Sequence, residues 1–279
     1  MIIEFVKMHG LGNDYIVIDA LKQDLAKVNL KDLAQRICHR NLGVGADGTI
    51  LVLRGKTHPF RMRIYNSDGS QAEMCGNGIR CLARYIYENR LSKKTKQNIE
   101  TLSGPIGTEI LKSKKSFLVK VNMGRPILLK EKIPVKGNEA FCVNQNLKIG
   151  GKVLKFTAIS IGNPHAVIFV DRFDESWQRW GKLIENHPIF PKKINVEFVK
   201  VLSRKRIQLK VWERGAGSTL ACGTGACAAA VAGIMNGRLD RKLKVSFQYG
   251  QLDMEWNEKN NSISMIGPAE KICDGIYDY

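Results

Sequence analysis

Residues 64–78 read IYNSDGSQAEMCGNG, and residues 211–225 read VWERGAGSTLACGTG. Laid over one another at a single offset, which carries Cys75 onto Cys222, the two stretches share one plan. Each has a β-like dipeptide, a polar pair, a Gly-containing turn, and then Cys-Gly-[Asn/Thr]-Gly. Each also runs on into a helical pattern. After Cys75, residues Ile79, Leu82, Ala83 and Ile86 recur at helical spacing, and after Cys222 comes the small-residue run ACAAAVAG. Matching strand–turn–helix contexts around Cys-Gly-x-Gly mark an internal duplication. The chain therefore reads as two related halves, each presenting a cysteine at the start of its central helix.

That position has chemical meaning. The first turn of a helix carries unpaired backbone N–H groups and the positive end of the helix dipole, so anions are stabilised there. A cysteine so placed is expected to have its pKa lowered from about 8.5 toward the range where thiolate exists at neutral pH. Gly76, Gly78, Gly223 and Gly225 let backbone amides approach a carboxylate, and Asn77 and Thr224 are residue types suited to capping. Inverting a stereocentre by proton transfer needs a base on one face and an acid on the other. Two thiols in similar settings satisfy that requirement, and fixed amide donors stabilise the charge that builds on a substrate carboxylate. A single Cys-Gly-x-Gly would read as a buried cysteine in a Gly-rich turn; its duplication points to function.

Around these motifs, short alternating segments dominate: IIEFVKM, YIVID, TILVL, RMRIYN, FLVKVN, AVIFVD, NVEFVKV, RIQLKVW and KVSFQY read as strands. Helical patterns include Leu30, Leu33, Ala34 and Ile37 after a cap at Asn29, and a Trp-containing stretch near residues 175–186. The 279 residues, 44% of them hydrophobic, suffice for folded cores in one or two domains. The N-terminus lacks the pattern of an export signal and no apolar run reaches the length of a membrane span. Seven cysteines without paired zinc-type spacing fit free thiols in a reducing cytoplasm. The formal charge of +18 is the feature that points toward nucleic acid. Its clusters, KSKK at 112–115 and RKR at 204–206, are short and scattered, so a lysine-rich solvated surface is the reading, with no nucleic-acid partner expected.

The chain resembles the diaminopimelate epimerase family. The resemblance runs, in order, through KMHGLGNDYIVID, GVGADG, YNSDGSQAEMCGNGIRC, NMGRP, SIGNPHAVIFV, FP…NVEFV, ERGAGSTLACGTGACA and a late GPA. The related proline racemases usually show CGHG in the first motif and lack the ERG arm, and the phenazine-biosynthesis relatives lack the cysteine pair. The resemblance implies an α+β fold of two pseudo-symmetric domains, each a curved mixed or antiparallel sheet around a central helix. It places them at residues 1–121 plus 268–279 and at 122–267, with the last strand returning to the first domain and the active site in the cleft between them. It also implies cofactor-independent epimerisation of LL- to meso-diaminopimelate, no metal, a homodimer, and no membrane partner.

Individual roles follow from the same resemblance. Cys75 and Cys222 are the acid/base pair, with His165 and Glu213 at the catalytic centre. Gly76, Asn77, Gly223 and Thr224 hold the α-carboxylate. Asn13, Asn66, Asn163, Asn195, Glu213 and Arg214 contact the rest of the substrate. Chemically, an arginine offers a planar fork to a distal carboxylate, while Glu and amide oxygens accept from a distal ammonium. Taken singly, His165 after Gly-Asn-Pro reads as a turn residue, Glu213–Arg214 as a surface pair, and the asparagines as backbone-driven choices. Cys38, Cys81, Cys142, Cys227 and Cys273 lack the duplicated context and read as structural; His9 and Asp47 read as turn or packing residues. Two positions depart from the family pattern: Gly48, where many members have Gln, and Ser218, where many have Glu. The competing functions are a racemase of proline, hydroxyproline or glutamate, and a basic nucleic-acid-associated protein of the same fold.

Overall fold

The computed structural model describes residues 1–112 and 116–279, so Ser113, Lys114 and Lys115 of the first basic cluster lie outside the described residues. In chain order, the first part contains β1 (Ile2–Gly10), β2 (Asn13–Asp19), α1 (Leu30–Cys38), β3 (Gly48–Arg54), β4 (Phe60–Asn66), β5 (Gln71–Ala72), α2 (Gly76–Glu88), β6 (Lys96–Thr101), β7 (Gly104–Lys112) and β8 (Phe117–Asn122). The second part contains β9 (Gln145–Ile149), β10 (Lys152–Ser160), β11 (Pro164–Phe169), α3 (Trp177–Glu185), β12 (Asn195–Ser203), β13 (Arg206–Glu213), β14 (Gly217–Thr219), α4 (Gly223–Met235), β15 (Lys242–Phe247), β16 (Gly250–Trp256) and β17 (Ile263–Pro268). The chain ends on β18 (Glu270–Asp278). This is a mixed, sheet-dominated α+β protein. It divides into a first unit, Met1–Val121 with Ile266–Tyr279, and a second, Asn122–Met265.

Within each unit the strands follow one alternation of directions. In the first, β1 and β2 are antiparallel, β2 and β3 parallel, β3 and β4 antiparallel, β4 and β6 parallel, and β6 and β7 antiparallel. In the second, β10 and β11 are antiparallel, β11 and β12 parallel, β12 and β13 antiparallel, β13 and β15 parallel, and β15 and β16 antiparallel. The parallel steps need crossovers, which supply the helices. The offset from Cys75 to Cys222 carries α1 from Leu30–Cys38 onto Trp177–Glu185, the bounds of α3, and α2 onto Gly223–Met235, the bounds of α4. The C-terminal β18 adds to the first unit by pairing antiparallel with β1, from Ile2 opposite Asp278 to His9 opposite Glu270.

The helices form where the sequence signals them. Asn29 caps α1, its side chain accepting from the backbone N–H groups of Lys31 and Asp32 at 3.2 and 3.3 Å. Removal of such a cap costs about 1 kcal/mol. Leu33, Ala34 and Ile37 of α1 pack on Ile3, Phe5, Ile16, Ile18, Leu51 and Tyr65. In the second unit, Trp177 and Ile184 of α3 pack with Phe156, Ile168, Phe190, Val196 and Phe198. The central helices differ in composition: α2 is amphipathic yet buried over most of its length, and α4 is almost wholly small and apolar. A helix apolar on all sides belongs in a core. Gly233 of α4 leaves space for Leu239, whose Cδ1 would lie 2.2 Å from an added Cβ.

Several strands differ from the sequence expectation. The segment expected at AVIFVD runs from Pro164 to Phe169, Pro standing at the first strand position where no ladder donor is needed. The one expected at KVSFQY ends at Phe247, because Gln248 and Tyr249 turn before Gly250, whose φ is +142°. The strands β6 and β18 lacked an apolar alternation to announce them. In β6 only Ile99 and Thr101 are buried, and β18 is mostly exposed.

Candidate functional site

Both Cys-Gly-x-Gly motifs fold in the same way. Cys75 and Cys222 are the N-cap residues of α2 and α4, with extended backbone angles of −138°, 125° and −122°, 116°. Each carbonyl accepts the first helical hydrogen bond, from Ile79 and Ala226, both at 2.9 Å. Each sulfur faces into the first turn: Cys75 Sγ accepts from Gly78 N–H at 3.5 Å, and Cys222 Sγ from Gly225 N–H at 3.4 Å. The capping expected of Asn77 and Thr224 therefore belongs to the cysteines. Asn77 instead donates Nδ2 to Asn13 Oδ1 at 3.0 Å, and Thr224 Oγ1 lies 3.3 Å from Cys222 Sγ. The helices also end alike: Asn89 and Asn236 bond back through Nδ2 to the carbonyls of Tyr85 and Ala232.

The duplication extends to the strands beneath. Gly12-Asn13-Asp14-Tyr15 opens β2 and Gly162-Asn163-Pro164-His165 leads into β11. Tyr15 stands opposite Gly48 of β3, as His165 stands opposite Asn195 of β12. The polar tip of each turns to the asparagine two residues earlier: Tyr15 Oη donates to Asn13 Oδ1 at 2.6 Å, and His165 Nε2 lies 2.9 Å from Asn163 Oδ1.

Around Cys75, Tyr15 Oη approaches the sulfur to 2.9 Å and Asn13 Oδ1 lies at 3.8 Å. Asn13 is itself fixed, donating Nδ2 to Asp47 Oδ2 at 2.6 Å. Asp47 takes a further hydrogen bond from Arg40 at 2.7 Å, so it organises the site beyond the turn role read from sequence. Asn66, at the end of β4, donates to Ser70 Oγ at 2.9 Å. At Gly48 an added Cβ would lie 2.6 Å from the Tyr65 carbonyl oxygen and 3.4 Å from the Tyr15 ring. This chain thus has no room for a side chain at 48.

Around Cys222, burial pushes the thiol pKa well up, and the charges of Glu213 and Glu197 add to that; Thr224 and the Gly225 N–H oppose it more weakly. The lowered pKa expected from the helix start is overturned at this cysteine, because desolvation and two carboxylates outweigh the helix amides. Glu213 ends β13 and accepts from Thr219 Oγ1 at 2.6 Å. Arg214 is exposed, donating Nη1 to Lys192 O at 3.1 Å, with its backbone N–H bonded to Asn195 Oδ1 at 2.9 Å. Asn195 also donates Nδ2 to Pro164 O at 2.7 Å, tying β12 to β11. Ser218, on β14, is exposed.

His165 is fully buried, and its Nδ1 lies 2.7 Å from Glu197 Oε1. Glu197 is equally buried, and burial raises its carboxyl pKa against the pull of His165. Its Oε1 stands 2.7 Å from where a Cβ on Gly225 would be, beside the first turn of α4. Sequence reading missed Glu197, as it missed Tyr15. Among the other cysteines, burial pushes the thiol pKa values of Cys38, Cys81 and Cys142 up to about 11, 12 and 11. Among the described residues, no group of three or more His, Cys, Asp or Glu could hold a metal ion, and no helix is long and apolar enough to cross a membrane.

The family model described as diaminopimelate epimerase matches residues 5–129 and 157–272, which takes in both cysteine motifs. The chain belongs to the diaminopimelate epimerase family. Curated diaminopimelate epimerases from Carboxydothermus hydrogenoformans and Heliobacterium modesticaldum are 50% and 49% identical to it, covering 98% of this chain and 99% and 98% of their own lengths. Among solved structures, a phenazine biosynthesis protein from Bacillus anthracis superposes with a TM-score of 0.72 at 16% identity, covering all of both chains. A probable proline racemase from Agrobacterium radiobacter gives 0.71 at 14%, covering 99% of this chain and 92% of that one. At such identities these two share the fold alone. The α+β diaminopimelate epimerase fold expected from sequence is therefore the fold of this chain.

Proposed function

We propose that this chain interconverts LL- and meso-diaminopimelate by cofactor-independent proton transfer at one α-carbon, for lysine and peptidoglycan precursor synthesis. Cys75 and Cys222 are the two acid/base groups. One thiolate removes the α-proton, the other thiol returns a proton to the opposite face, and the roles exchange for the reverse reaction. The amides at Gly76, Asn77, Gly223 and Thr224 take the α-carboxylate, on which charge develops in the transition state. His165, held by Glu197, and Glu213 are assigned to the catalytic centre, and Glu213 and Asn163 also contact the substrate. Asn13, Asn66, Asn195 and Arg214 are assigned to the remaining substrate groups, with Arg214 on the distal carboxylate.

One observation carries this reading: a pair of cysteine-capped helices of like geometry in a chain about half identical, over nearly its whole length, to proteins bearing that name. The chain is further proposed to act as a cytoplasmic homodimer. Support comes from β18, a strand paired with β1 that exposes Ile272 and, opposite Glu4 and near the exposed Ile2 of β1, Ile276, an arrangement that invites pairing. Its molar mass in solution checks that part.

The test is conversion of LL-diaminopimelate in deuterated solvent. Early product should carry deuterium while recovered substrate does not, since the donor thiol is not the one that took the proton. Turnover of proline, hydroxyproline or glutamate in place of diaminopimelate would transfer the assignment to another racemase. Largely unlabelled early product would exclude the two-base route.

A further inference from the structure

We infer that Tyr15 is a further catalytic residue, whose hydroxyl proton serves whichever of two acceptors the charge on Cys75 selects. The inference rests on the reading that Cys75 exchanges a proton with substrate. Its ground is a compact arrangement in the first unit. Tyr15 Oη stands 2.6 Å from Asn13 Oδ1 and 2.9 Å from Cys75 Sγ, and a phenol has one proton to give to the two.

While Cys75 is a thiol, the Tyr15 O–H points to Asn13 Oδ1, and the hydroxyl oxygen is an acceptor for the S–H. When Cys75 is a thiolate, the same O–H rotates to the sulfur. Asn13 Oδ1 is not abandoned by that rotation, because Asn77 Nδ2 donates to it at 3.0 Å. The hydroxyl proton stays on the Tyr15 oxygen throughout. The only O–H, S–H or C–H bonds made and broken are those of the α-proton and the thiol, so the step balances without another reagent. The thiolate gains a charge-assisted hydrogen bond in a part-buried setting, where such a bond is stronger than in open water.

The surroundings suit this role. Tyr15 is 5% exposed, and Gly48 leaves its ring the space it occupies. Burial holds the phenol protonated: its pKa is pushed well up, first by desolvation and then by the Cys75 charge, with Cys81 and Asp47 adding. Asp47 is itself engaged by Arg40 and Asn13. A phenol so held keeps its proton to donate to a thiolate beside it. The counterpart position in the second unit carries His165, which makes the matching contact to Asn163, so the geometry recurs where the chain was duplicated.

Tyr15→Phe removes one oxygen and keeps the ring. The pH midpoint for iodoacetamide alkylation of Cys75, followed by peptide mass spectrometry, should rise by about one unit. The midpoint for Cys222 should stay in place. The kcat should fall on the order of tenfold with KM within about twofold, and the rise of kcat/KM with pH should move in the same direction as the Cys75 midpoint. A melting curve verifies that the variant is folded. An unmoved Cys75 midpoint overturns the proposal, even with reduced kcat, since loss of rate alone would report packing. The alkylation needs no turnover. Wild-type protein inactive on diaminopimelate would therefore unseat the function separately from the hydroxyl.

Discussion

Beside the first turn of α2 stand Tyr15, Asn13 and Ile50; at the matching places in the second unit stand His165, Asn163 and Glu197. The match is close. An added Cβ on Gly78 would meet Ile50 Cδ1 at 2.9 Å, and one on Gly225 would meet Glu197 Oε1 at 2.7 Å. The backbone geometry of the two cysteines is shared, while the neighbouring side chains are not. Cys75 has a neutral hydroxyl as its neighbour and an aliphatic side chain below its helix. Cys222 is more deeply buried, with two carboxylates acting against its ionisation. A duplicated scaffold has thus kept the placement of the two sulfurs and diverged in the side chains beside them.

The largest effect expected is from the residues that the halves share. Cys75→Ala and Cys222→Ala should each reduce epimerisation by at least about a thousandfold, and the double variant should lose little more, because either loss already breaks the proposed proton route. Initial rates on both stereoisomers check this. If one single variant retains near-normal inversion, the two halves are not equivalent partners in the chemistry.

A smaller change tests what distinguishes them. Glu197→Gln retains an acceptor for His165 and removes a charge that raises the Cys222 pKa, so the alkylation midpoint of Cys222 should fall by roughly one unit, about 1.4 kcal/mol. Cys75, with Ile50 at the corresponding place, is the internal control and should not move. A shift of both cysteines, or of neither, would remove Glu197 from the comparison.

The smallest effect concerns stability at alkaline pH. Cys38, Cys81 and Cys142 have folded pKa values of about 11, 12 and 11 against the usual 9.0, so the unfolded chain releases their protons first as pH rises. Their contribution is fully present below pH about 9 and is lost progressively as pH climbs toward those folded values, at about 1.4 kcal/mol per group per pH unit while the window is open. Two of the three lie in the first unit. Thermal melts of Cys38→Ala and Cys81→Ala should therefore show a shallower decline above pH 9 than wild type, and Cys142→Ala should do the same for the second unit. Parallel declines in all proteins would assign alkaline loss to other groups.

Legibility in the sequence follows the same division. The Cys-Gly-x-Gly pair was readable because helix starts that bring backbone amides together depend on small residues, which leave a residue-level trace. The equal bounds of α1 and α3 were hidden, since LKDLAQRIC and WQRWGKLIE share a buried stripe and little else. Glu197 was hidden by its strand. In NVEFV it alternates with apolar neighbours as a solvent-facing residue does, yet β12 is buried over its first five positions, so both faces of that stretch are inside. Tyr15 carries no signal of its own within the strand segment YIVID. Only register and distance show its hydroxyl beside a sulfur. At Asn77 and Thr224, residue preference pointed to the wrong cap, because the cysteine sulfurs occupy the place where an oxygen usually serves.

Gly48 links this arrangement to the paths open to the sequence over time. Its missing side chain is demanded by the backbone carbonyl of Tyr65 and bordered by the Tyr15 ring, so the β4 backbone, more than any neighbouring side chain, restricts position 48. A lineage that gained a long polar side chain at 48 would have to shift the β3–β4 ladder as well, and with it the phenol. Position 48 is then inherited with the local path of the β3–β4 pair, and a natural or laboratory-evolved variant that gains a side chain at 48 should show that ladder displaced.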